Sequence, residues 1–361
     1  MNLFPDLEKK YTREQLSARE AQRQAEFIAF GPIVFQASRL MCKFGILDAL
    51  RDREMTLEEI AEKTGISHYA AKVLLEASLS IGTVLVNPET DRFSLSKTGW
   101  FLLNDPATRV NMDFNHDVNY EGFFKMEEAL LEGRPAGLEH FGSWPTIYEG
   151  LSSLPPQVRK SWFGFDHFYS DHSFQEALRI IFSYKPTRIM DVGGNTGRFA
   201  QRCVAYDPEV KLTIVDLPQQ LEMMRKAVAG TPGEERIEGC PRNMLDPSLE
   251  LPSGADVIWM SQFLDCFSEP QILSILERAA KASGPETRLL IMETFWDRQR
   301  FEPAAFCLTM TSLYFTVMAN GNSKMYHSDD MIALVQKAGF QVENIHDGLG
   351  QGHSILVCKK A

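Results

Sequence analysis

No apolar run in this chain of 361 residues reaches the ~20 positions a helix needs to cross a bilayer, which excludes a helical membrane protein. The first ten residues, Met1 to Lys10, lack the basic-then-apolar order of a signal peptide. The six cysteines (Cys42, Cys203, Cys240, Cys266, Cys307 and Cys358) contain no C-x-x-C pair. They read as reduced thiols of a cytoplasmic protein, with no zinc site. A basic excess is also missing: 37 Lys and Arg against 48 Asp and Glu leave a net charge of −11, which argues against a nucleic-acid partner. What remains is a chain with 44% apolar residues, long enough for two domains.

The most informative stretch is Thr187-Arg-Ile-Met-Asp-Val-Gly-Gly-Asn-Thr-Gly-Arg-Phe199. An apolar strand ends in an acid, turns through glycines and opens a helix. A second acid, Asp216, follows the apolar run Leu212-Thr-Ile-Val215, where a parallel sheet hydrogen-bonds a ribose. A dinucleotide loop would carry glycine at the middle of its turn; here that residue is Asn195, which tolerates a left-handed backbone. Asp191, two residues before Gly193, would repel a pyrophosphate and suits a ligand bearing a positive charge. The bland alternative is a ligand-free turn with glycines for close packing.

Further motifs follow: Ile214-Val-Asp-Leu-Pro218, Gly254-Ala-Asp-Val257 and Phe263-Leu-Asp-Cys-Phe-Ser-Glu269. With these the chain resembles the S-adenosylmethionine-dependent small-molecule O-methyltransferases that carry an N-terminal winged-helix dimerisation domain. The resemblance runs from about residue 30 to the end and is strongest over 187–294. It implies S-adenosyl-L-methionine as cofactor and a homodimer. By position it assigns cofactor contacts to Asp191, Gly193, Gly194, Asp216, Leu217 and Ser261. It also assigns Asn243 and Met244, in the departing stretch Arg242-Asn-Met-Leu245, together with Tyr169 and Ser173 near the methionine end.

The N-terminal pattern is helical from 14 to 50, interrupted at Gly31-Pro32. Thr56 and Glu59 form a capping box, Gly65 ends that helix, and Ser67 caps the next. Thr83-Val-Leu-Val86 and Arg92-Phe-Ser-Leu95 then read as two strands, completing a winged helix. Its second helix, from Ser67 to Ser80, offers only Lys72 as a cation, a poor footprint for phosphate. The expected domains are 1–110 (winged-helix dimerisation), 111–186 (helical connector and substrate-pocket wall) and 187–361 (cofactor binding).

From 187 onward strands and helices alternate, the sign of an α/β doubly wound sheet. Strands are expected near 187–192, 211–216, 235–239, 256–261 and 288–293, with helices near 197–206, 218–228, 270–282 and 328–338. Residues 340–346 and 354–358 read as a closing antiparallel hairpin, which separates a class I methyltransferase sheet from a dehydrogenase sheet.

Methyl transfer is a displacement at a sulfonium, and a phenol of pKa ~10 must also lose a proton, usually to histidine. The family motif Leu-His-Asp-Trp-Ser-Asp/Glu reads Leu264-Asp-Cys-Phe-Ser-Glu269 here, so Asp265 stands at the base position. The family's partner acid survives as Glu293, whereas the Gly-Lys-Glu-Arg acid is replaced by Gly321-Asn-Ser-Lys324. Three readings stay open. Asp265 is a base raised by burial; a more acidic acceptor or another base (His116, His167, His172 or His327) serves; or the scaffold runs another reaction. The apolar segment Cys307 to Met318 reads equally as a helix core or a flat pocket wall for an aromatic acceptor. The expected activity is O-methylation of a small aromatic hydroxyl metabolite. The alternatives are transfer to N, S or C, a non-methylating reaction, and a ligand-sensing winged-helix regulator.

Overall fold

The computed structural model describes residues 3–361, apart from the side chains of Ser170 and Asp171. It divides into two compact units: one of Glu14–Val118 with Lys160–Phe165, the other of the chain up to Arg13, Asn119–Arg159 and Asp166–Ala361. Among the described residues no helix is long and apolar enough to cross a membrane.

In the first unit, helix Ala18–Ala29 ends where Gly31-Pro32 opens helix Gly31–Lys43. Proline is tolerated there because the first helical N–H has no partner in any case. Thr56 and Glu59 exchange side-chain-to-backbone bonds at 3.3 and 2.9 Å to start helix Leu57–Thr64. Gly65 then ends that helix at φ 71°. Ser67 Oγ accepts from Ala70 N–H at 3.1 Å to start helix His68–Ile81. Strands β1 (Val84–Asn87) and β2 (Arg92–Leu95) pair antiparallel. Met41, Leu47, Ile60, Leu75 and Val84 form the buried core of this unit.

The second unit is built on seven strands: β3 (Arg188–Val192), β4 (Lys211–Asp216), β5 (Ile237–Pro241), β6 (Val257–Ser261), β7 (Arg288–Glu293), β8 (Phe340–Leu349) and β9 (His353–Lys360). Their order is β5-β4-β3-β6-β7-β9-β8, parallel except for β9, which lies antiparallel between β7 and β8. Strand side chains alternate between faces. Ile258 and Met260 therefore enter one core with helices Glu269–Ala282 and Ser328–Lys337. Val257 and Trp259 enter the other, with helices Phe174–Phe182, Arg198–Tyr206 and Pro218–Val228. Strand order reverses between β3 and β6, and the crevice beyond their C-terminal ends is where such sheets hold ligands.

Two expected boundaries move. The strand placed at 235–239 lies at Ile237–Pro241 because Glu234–Arg236 form a 3₁₀ turn. There the Arg236 guanidinium donates to the carbonyls of Val204, Asp207 and Val210. The closing hairpin is longer than expected: Arg298 and Ser354 hold the Asp347 carboxylate at 2.6 and 2.7 Å, so pairing persists to Leu349 and only Gly350–Gly352 turn.

Candidate active site

The loop after β3 is fixed by its neighbour strand. Gly193 N–H donates to the Val215 carbonyl at 2.9 Å. Gly193, Asn195 and Gly197 adopt φ of 81°, 49° and 77°, so the asparagine takes the left-handed conformation the turn demands. Asp216, at the end of β4, accepts from Asn195 N–H at 2.8 Å on one oxygen and from Leu217 N–H at 2.7 Å on the other. Each oxygen keeps a lone pair for a further donor. Asp191 is only 3% exposed, and its Oδ2 has no hydrogen-bond partner. Burial, then the charge of Asp216, pushes its carboxyl up to about 7. A Cβ on Gly194 would lie 2.6 Å from that oxygen, and one on Gly193 would strike the Phe263 ring. The absent side chains let this loop close on the turn after β6.

That turn holds the second constellation. Gln262 adopts φ 47°, a conformation only a few per cent of non-glycine residues take, and its N–H donates to the Met292 carbonyl at 2.9 Å. Residues Leu264–Cys266 form a 3₁₀ turn with Asp265 buried at 7% exposure. Glu293, at the end of β7 and 2% exposed, receives the N–H groups of Phe263 and Leu264 at 3.1 and 2.9 Å on Oε1; its Oε2 has no partner. Burial raises Asp265 to about 6 and, with the charge of Asp265 added, raises Glu293 well above the usual carboxylate range. Two such groups titrate as a pair. Cys266 Sγ donates to Asp265 Oδ1 at 3.5 Å and accepts from Tyr148 Oη at 3.1 Å. Asn320 Nδ2 donates to the Cys266 carbonyl, and Tyr326 Oη to the Phe267 carbonyl, each at 2.6 Å.

The structure thus brings Asp191, Gly193, Gly194, Asp216, Asp265 and Glu293 to one end of the sheet. Leu217 and Ser261 are half-buried at the ends of β4 and β6. Asn243 is exposed, and its amide oxygen already accepts from Leu245 N–H at 3.0 Å, while Met244 is buried in the core beside β6. Tyr169 lies on helix Pro156–Asp171, edge-on to Phe168. The four histidines named as alternative bases each have other partners. His116 lies 3.3 Å from Gln36 Nε2, both within the unit of Glu14–Val118. His172 Nδ1 meets the Phe168 carbonyl at 2.7 Å, and His167 lies 4.0 Å from Asp166. His327 Nδ1 accepts from Asp329 N–H at 3.0 Å, capping helix Ser328–Lys337. Lys324, in the segment that replaces the family's second acid, forms exposed pairs with Glu269 and Asp330. The segment from Cys307 completes a helix ending at Tyr314 and a π-turn over Phe315–Ala319, with Leu308, Val317 and Met318 buried and Met310 exposed. Sequence reasoning missed Tyr148, Gln262 and Asn320. No local spacing could find Tyr148, which is 118 positions from Cys266.

The orphaned Asp191 oxygen suits an ammonium group, and Asp216 with spare lone pairs suits vicinal hydroxyls, so these residues fit S-adenosylmethionine. Comparison with known proteins gives the same chemistry. Residues 171–341 match the O-methyltransferase domain and residues 22–93 the Dimerisation2-like domain. Mitomycin biosynthesis 6-O-methyltransferase of Streptomyces lavendulae is 24% identical over 311 residues, 85% of this chain and 86% of that protein. The S-adenosylmethionine-dependent methyltransferase SibL superposes with a TM-score of 0.71 at 22% identity, over 92% of this chain and 98% of that one. The O-methyltransferase NcsB1, solved with S-adenosylmethionine and 2-hydroxy-5-methyl naphthoic acid, gives 0.65 at 20% identity, over 91% and 96%. The structural likenesses establish the fold, and with the two domains matched in tandem the chain belongs to the S-adenosylmethionine-dependent O-methyltransferases.

Proposed function

We propose that this protein methylates the hydroxyl of a small aromatic molecule, with Asp265 as the general base and Glu293 as the acid that holds its turn. The observation that carries this reading is the Asp265 carboxyl, buried at the switch end of the sheet and raised to about 6. The bound cofactor supplies an electrophilic methyl on sulfur. The unpaired oxygen of Asp191 receives the ammonium; Asp216 receives the ribose hydroxyls and Leu217 packs on the adenine. Asn243, Met244, Ser261 and Tyr169 complete the cofactor's surroundings.

An ordinary aspartate is some six pH units too weak a base for a phenol of pKa ~10. The rise of Asp265 from 3.8 to about 6 recovers two of those units, worth about 3 kcal/mol of proton affinity. Burial and the charge of Asp265 favour the neutral form of Glu293, since two carboxyls sharing a dry site do not both ionise readily. The relative named for mitomycin biosynthesis, and NcsB1 with its bound 2-hydroxy-5-methyl naphthoic acid, support an aromatic acceptor.

The N-terminal winged helix serves as a dimerisation module in this reading. The Dimerisation2-like match supports a homodimer, as do the exposed side chains of Phe27, Ile28, Phe30 and Ile33. A monomer mass in light scattering at micromolar concentration would sink that part of the proposal.

The deciding measurement for the cofactor is calorimetric titration with S-adenosylhomocysteine. Micromolar binding is expected and is lost in Asp216→Ala. Equal binding by the variant, or none by wild-type protein freed of co-purified ligand, contradicts the assignment.

A further inference from the structure

We propose that Tyr148 and Cys266 form a hydrogen-bonded relay that orients the Asp265 carboxylate, so that a phenol and a thiol position the base of this enzyme. The inference rests on the reading of Asp265 as base and deepens it.

The geometry is directional. Tyr148 Oη donates to Cys266 Sγ at 3.1 Å, which leaves the S–H free to donate to Asp265 Oδ1 at 3.5 Å. Burial, with the charge of Asp265 added, pushes the thiol well above its usual range, so it stays a donor at neutral pH. Both ends of the relay are anchored. Tyr148 sits on the short helix Ile147–Gly150, where a Cβ on Gly150 would collide with the Trp144 ring, so the indole clamps the segment. On the other side Asn320 holds the Cys266 carbonyl and Tyr326 the Phe267 carbonyl, both at 2.6 Å. With its backbone pinned, the Cys266 side chain has little freedom except to lie between the phenol and the carboxylate. A donor to the ionised carboxylate favours that form and fixes its plane. Cys266 and Tyr148 are therefore positioning residues, acting through Asp265.

The spectroscopic part of the test needs no acceptor. The S–H stretch of Cys266 in the full-length protein is isolated as the infrared band lost in Cys266→Ser. It should move to lower frequency as pH rises from 4 to 8, with its midpoint near the ionisation of Asp265, and it should not move in Asp265→Asn. The carboxyl band of Asp265, assigned as the band lost in Asp265→Asn, should titrate about half to one pH unit higher in Cys266→Ala. Cys266→Ser should return it to the wild-type value or below, and Tyr148→Phe should raise it by less than Cys266→Ala does. A role confined to packing would move neither band. An S–H band indifferent to pH, or one that still moves in Asp265→Asn, overturns the relay. Turnover by Asp265→Asn at the wild-type rate would overturn the base assignment instead. A stationary S–H band together with an inactive Asp265→Asn would remove the relay alone.

Discussion

Two pairs of carboxyls stand at the tips of neighbouring parallel strands, and they are built alike up to a point. Asp191 is the penultimate residue of β3 and Asp216 the last of β4; Asp265 and Glu293 follow β6 and end β7. In each pair one acid is tied down by two backbone N–H groups: Asp216 by Asn195 and Leu217, Glu293 by Phe263 and Leu264. Each pair also contains one buried oxygen without a partner. The difference is where that oxygen lies. In the first pair it belongs to Asp191, the acid that holds no loop, and a positive charge from outside is what would complete it. In the second it belongs to Glu293, the acid that does hold the turn, and burial with the charge of Asp265 favours its neutral form. Asp265 is then the member left to ionise. On the proposed reading, one arrangement binds a cation and the other accepts a proton.

The largest expected effect breaks the second pair. Asp265→Asn keeps the size of the side chain and removes its basicity. Transfer to a phenolic acceptor should fall by roughly 10²–10⁴, the usual contribution of a general base. Affinity for S-adenosylhomocysteine should stay within about threefold, because the first pair is intact. In the wild type, turnover should decline as pH drops through about 6, where Asp265 takes up its proton. Steady-state rates across pH 5–8 check both statements. A variant as fast as wild type would make the second pair a structural acid cluster and leave only the first with a ligand to meet.

The two pairs were not equally legible in the sequence. The β3 loop is local: acid, glycines and the second acid all lie between Asp191 and Asp216, and adjacent parallel strands force them together. The Asn195 substitution was readable because few residues tolerate a left-handed backbone. Strand and helix positions followed for the same reason, since apolar runs between glycine and proline breaks are local information. The shifted strand at Ile237 depended on Arg236 reaching carbonyls in a preceding helix and loop, which no local pattern records. At the second pair the motif gave Asp265 and Glu293 their places. The groups that set their chemistry lie far off in the chain: Tyr148 on one side, Asn320 and Tyr326 on the other. Contacts of that separation are made by tertiary packing.

A smaller effect sharpens the first pair, through stability and not turnover. Asp191 has its folded pKa raised from 3.8 to about 7. An acid raised on folding binds a proton more tightly in the folded state. Wild-type stability in the absence of ligand is therefore lost as pH climbs from about 4 to about 7 and is level above that. Asp191→Asn removes this titration. At pH 8 the variant should gain up to roughly 2–4 kcal/mol over wild type, the order set by a shift of about three units in a buried group. At pH 4 the gain should vanish or reverse, because the amide then leaves an unmatched N–H where a neutral acid fitted, at a cost of about 1–3 kcal/mol. Urea melts at the two pH values measure the difference directly. Saturating S-adenosylhomocysteine should reverse the order at pH 8, since its ammonium pairs with the wild-type carboxylate and finds only an amide in the variant. Parallel stability profiles for the two proteins, with and without ligand, would mean that Asp191 is solvated or already paired in the folded protein. The contrast between a pair that awaits a cation and a pair that keeps a proton would then fail at its first member.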